Sequence, residues 1–84
     1  MKYRSRMEIA AKILEVAQKS TIKTGIMYGA FLSFTALNEY LSFLKVNELL
    51  EFLPEKNLYR TTDKGKRFLN SYQELEYMMH PKKE

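Results

Sequence analysis

The chain has 84 residues, with 14 basic and ten acidic side chains, one histidine, no cysteine and a formal net charge of +4. This size fits one domain with a modest core, and the missing cysteines exclude disulfides and thiolate metal sites. Apolar residues make up 45% of the chain, too many for a disordered segment, yet no uninterrupted run could span a membrane. The opening stretch "MKYRSRMEIAAKILE" places charges where a signal peptide needs its apolar segment, so the expected location is cytoplasmic. Residues 1–30 hold six basic and two acidic groups, residues 31–60 three and four, and residues 61–84 five and four. A positive balance favours polyanionic partners, but the excess lies in the first third.

In chain order, Ser5 and Glu8 have the spacing of a capping box and mark the start of a first helix. Ile9, Ile13 and Val16 follow as a core-facing stripe, flanked by Ala10, Leu14 and Ala17. After "QKSTIKTG", a short second helix is predicted over roughly Ile22 to Tyr28, weakened by Gly25 and Gly29. Ser33 is the expected N-cap of a third helix. Its inner stripe is Leu37, Tyr40, Leu41 and Leu44, and its outer face is Thr35, Asn38, Glu39, Ser42 and Lys45. "LLEFL" and "LYRT" read as strands joined by the turn "PEKN". A last helix starts near Thr62 or Asp63, runs over about residues 63–79 and carries Phe68, Tyr72, Leu75 and Met79 as a seam, with Leu69 beside them. "MMHPKKE" reads as a frayed tail.

Helix, helix, turn, helix, hairpin, helix is the order of a winged helix-turn-helix: a three-helix core, a two-stranded wing and a C-terminal helix. The class is mostly α (α+β), and residues 1–84 form a single domain. "KTGIMYGAFLSFTALNEYLSFL" and "YRTTDKGKRFLNSYQEL" resemble the archaeal winged-helix family of small DNA-binding proteins. That family includes the ten-kilodalton "a"-type crenarchaeal chromatin proteins and related predicted transcriptional regulators. The resemblance implies a homodimer in which the last helices pair as an antiparallel coiled coil through Phe68, Tyr72, Leu75 and Met79. It implies that the third helix and the wing face double-stranded DNA. Phe31 stands where the family commonly has asparagine, in a turn that calls for a left-handed backbone.

On that frame Asn38 is the candidate base reader, because its amide can bond adenine N6 and N7 together. Thr35 and Ser42 share its face, and Ser33 combines a cap with free amides that suit phosphate. Lys23, Thr24, Tyr28 and Lys45 are candidates for backbone phosphates, as are Lys56, Asn57 and Arg60 on the wing. Arg4 and Arg6 are candidates for a basic arm. Glu39 suits a solvated surface better than a phosphate. Phe31, Phe34 and Phe43 are the aromatics least easily hidden, which makes them a candidate protein-contact patch. With His80 the only histidine and no glycine-rich phosphate loop, no metal, cofactor, catalysis or small-molecule substrate is expected. The expected function is DNA binding, as a regulator or nucleoid-associated protein. The alternatives are a winged-helix protein-interaction module and an accessory subunit of a larger partner.

Overall fold

The computed structural model describes residues 5–79. Helix α1 spans Arg6–Val16 and runs into a 3-10 turn at Ala17–Lys19. Helices α2 (Lys23–Gly29) and α3 (Phe34–Val46), strands β1 (Leu50–Leu53) and β2 (Leu58–Thr61), and helix α4 (Asp63–Met79) complete the order.

Each boundary has a local cause. The Ser5 hydroxyl accepts the Glu8 N–H at 3.0 Å, and the Ser33 hydroxyl accepts the Ala36 N–H at 3.2 Å. Both serines therefore act as the N-caps expected of them. Helix α4 is capped by Thr62, which accepts the Gly65 N–H at 2.9 Å and donates to the Glu48 carbonyl at 2.7 Å. Two helices end in Schellman motifs. After α2, Leu32 N–H reaches the Met27 carbonyl and Phe31 N–H the Tyr28 carbonyl. After α3, Leu49 N–H reaches Leu44 and Glu48 N–H reaches Lys45. The motif requires a left-handed residue, and the chain uses Phe31 (φ 57°) and Glu48 (φ 61°) where glycine is usual. We expect Phe31→Gly to raise stability by about 1 kcal/mol, read as a higher denaturant midpoint, because the relieved backbone strain exceeds the contacts of a ring that is 78% exposed.

The core joins α1, α2 and α3 through Ile13, Leu14, Ile26, Leu37, Tyr40, Leu41 and Leu44. Tertiary burial of Ile26 and Ala30 anchors α2 despite its two glycines. Strands β1 and β2 pair antiparallel with Leu50 opposite Thr61 and Leu53 opposite Leu58. Asn57, at φ 56°, closes the turn between them, so its first role is backbone geometry. Thr21 adds a single bridge to Tyr59, with bonds of 3.0 and 2.8 Å, and ties the segment before α2 to the wing.

The buried Thr61 hydroxyl donates to the Leu14 carbonyl at 2.7 Å and locks the wing to the end of α1. Thr61→Val keeps the shape and strands that carbonyl, so chemical denaturation is expected to show a loss of about 1–3 kcal/mol.

Helix α4 packs on α1 through Leu69, with Phe68 and Tyr72 half-buried. Burial, then the Glu76 and Glu8 carboxylates, holds the Tyr72 phenol above its ordinary range. The predicted seam therefore divides. Phe68 and Tyr72 serve their own domain, while Leu75 and Met79 are exposed beside Met7. Met78 and Met79 are helical, which corrects their assignment to a frayed tail. The remainder of that expected tail, with His80, lies outside the described residues.

Candidate nucleic-acid interface

Burial of Leu37, Tyr40, Leu41 and Leu44 fixes which way α3 turns its other side. Thr35, Glu39 and Ser42 are exposed on that side, and Asn38 is half-buried on its shoulder. Val46, 79% exposed, extends the same face. It lies four residues beyond Ser42 and seven beyond Glu39, a spacing that would have flagged it in the sequence. An exposed valine methyl suits contact with a thymine methyl.

The Asn38 shoulder runs toward α2 at one end and the wing at the other. Lys23 places its ammonium 5.0 Å from the centroid of the Phe34 ring, and Lys45 lies 5.9 Å from that of Phe52. These contacts hold two cations at the flanks of α3 without neutralising them. Tyr28 and Thr24 are exposed on α2, and Ser33 is exposed at the start of α3.

The wing divides its predicted residues. Lys56 and Asn57 are exposed at the turn. Arg60 faces Glu51 across the strand pair, with Nη2 at 2.7 Å and Nε at 2.8 Å from the same carboxylate oxygen. Its charge is therefore compensated within the sheet, which strand register decides and sequence position does not. Lys56 makes no ion pair among the described residues.

Arg6 is not part of a free arm. It lies in the first turn of α1 with its guanidinium 5.3 Å from the centroid of the Tyr40 ring. Arg4 lies outside the described residues. The three exposed phenylalanines do not gather into one patch. Phe31 borders a groove between α1 and α4, Phe34 neighbours Lys23, and Phe43 faces the start of α1. Among the described residues, no group of three or more acidic or histidine side chains is placed to hold a metal, and no helix is long and apolar enough to cross a membrane.

The winged helix-turn-helix family matches residues 3–80, almost the whole chain. The chain belongs to that family. Among solved structures it is similar to Sso10a-2, a DNA-binding protein from Sulfolobus solfataricus, with a TM-score of 0.82 and 27% identity. The likeness covers 90% of this chain and 82% of Sso10a-2. A search of curated proteins finds no match. The resemblance to archaeal winged-helix DNA-binding proteins is thus borne out, and with it the fold: four helices and a two-stranded antiparallel wing.

Proposed function

We propose that this winged helix binds double-stranded DNA, with α3 in the major groove and the wing against the phosphate backbone. The reading is supported by membership of the family and by likeness to a DNA-binding protein. The observation that carries it is the shoulder of α3, where Asn38 lies between two cations held by neighbouring rings, Lys23 and Lys45. Thr35, Asn38, Ser42 and Val46 then face base edges. Ser33, Thr24, Tyr28, Lys23, Lys45 and Lys56 meet phosphates, with Asn57 at the tip of the wing. The role is non-catalytic and cytoplasmic, that of a regulator or a nucleoid-associated protein.

Pairing through α4 belongs to the same proposal. Leu75 and Met79 are 55% and 77% exposed in the last turns of α4, beside Met7 at the start of α1. Two copies of this stripe would cover each other, together with Phe68 and Tyr72 at its inner end. Sedimentation of the full chain is expected to give a dimer, and Leu75→Glu a monomer that keeps its helical circular dichroism. A wild-type monomer at high concentration would remove the pairing.

Duplex titration tests DNA binding, and lack of binding at low salt would sink it. Asn38→Ala is expected to lose about 1–3 kcal/mol of preference for a specific site over random duplex. Equal losses on both duplexes would count against base reading by Asn38. The internal Glu51–Arg60 pair favours a second reading, a protein-interaction module whose wing has shed charge. Binding to a protein partner with no affinity for duplex would support it.

A further inference from the structure

We propose that the cavity beneath the C-terminal half of α3 binds a small planar aromatic carboxylate. The cavity has a volume of about 180 Å³ and lies where α1, α3 and α4 meet. Tyr40, Phe43 and Phe68 supply aromatic walls, Met7 an adaptable side, and Asn47 a polar edge. An enclosed apolar cavity of about 150 Å³ holds benzene. This site matches it in size but is open on one side, with Met7 and Phe43 about half exposed, so a single ring fits with its carboxylate at the opening.

Charge selects the ligand class. Among the described residues, Arg6 is the only charged one lining the cavity and makes no ion pair. A cation–π contact, with the guanidinium carbon 5.3 Å from the Tyr40 ring centroid, keeps the charge at the cavity wall. A guanidinium presents a fork of donors that matches a carboxylate in two parallel bonds. Apolar walls with one oriented cation are the composition expected of a small-molecule site. The floor is also well braced. Asn47 donates from its side-chain amide to the Phe43 carbonyl at 2.9 Å, and the Lys64 ammonium donates to the Asn47 carbonyl at 3.0 Å. A bound ring would therefore touch α3 on the side away from Lys45, at a site separate from the proposed DNA face.

Benzoate is the probe and benzyl alcohol its neutral control, each titrated into the full chain and followed by NMR. Benzoate is expected to shift the Met7 methyl, the Phe43 and Phe68 rings and the Arg6 Nε–H in one saturable process. Benzyl alcohol is expected to bind about tenfold more weakly. Arg6→Gln should erase that difference, Arg6→Lys should keep part of it, and Phe43→Ala should weaken both probes. The proposal is overturned if no saturable shift occurs, if shifts fall elsewhere, or if acid and alcohol bind alike. It is also overturned if these resonances change with protein concentration while benzoate leaves them unmoved, since a second copy would then fill the cavity.

Discussion

Gly65→Ala is expected to destabilise the protein by about 3 kcal/mol, the upper end of the usual cost of overpacking. Gly65 is buried in the first turn of α4. A Cβ there would run into the Leu49 carbonyl oxygen and come within 2.7 Å of the Thr61 methyl. Neither neighbour can yield cheaply. The Leu49 carbonyl accepts the Thr62 N–H at 3.1 Å, and Thr61 is held by its bond to Leu14. A chain of this length has about 4–12 kcal/mol of stability in all, so the loss would lower the melting temperature by about 12–24 °C. Helix propensity argues the other way, favouring alanine by about 1 kcal/mol. Thermal unfolding of the variant decides between the two. Gly25→Ala is the comparison, because its Cβ would run into the Thr21 hydroxyl, a side-chain atom that one χ1 rotation can move, and meets no backbone atom. It should cost far less.

The second large effect is that of salt on duplex affinity. If Lys23, Lys45 and Lys56 each neutralise one phosphate, the log–log slope is about −2.7 for one domain and about −5.4 for two. Raising monovalent salt from about 50 to 200 mM would then weaken binding by about 40-fold for a monomer and by about 2,000-fold for a dimer bound through both copies. The slope therefore reports how many domains engage, independently of sedimentation. Lys56→Ala should shrink it by about 0.9 per engaged domain and weaken all sequences alike. Glu51→Gln should act oppositely, because it releases the Arg60 charge and steepens the slope by about the same amount. No change on Glu51→Gln would place Arg60 away from the phosphates. No change on Lys56→Ala would remove the wing tip from the interface.

Much of the fold was legible in local pattern. The caps at Ser5 and Ser33, the inner stripe of α3 and the turn in "PEKN" each depend on residues a few positions apart, and all lie where expected. Phe31 was legible as a strained turn residue through the resemblance alone, because the family commonly has asparagine there, and its φ of 57° bears that out. Glu48 was not. Nothing in "KVNELL" marks a left-handed residue until α3 is seen to end in the same motif as α2.

The candidate site was legible in type and less so in charge. Arg60 looked like a wing cation until the register set it opposite Glu51. Arg6 looked like an arm until α1 began with it and Tyr40 received its guanidinium. The α4 stripe read as one seam, but packing on α1 buries Leu69 and half-buries Phe68 and Tyr72, while Leu75 and Met79 stay exposed beside Met7. Periodicity, caps and turn chemistry were thus sufficient for the winged-helix order, because they act within a few residues of chain. Which charges are compensated, which apolar groups are left open and where a cavity forms depend on residues distant in sequence, and only their packing in three dimensions decided them.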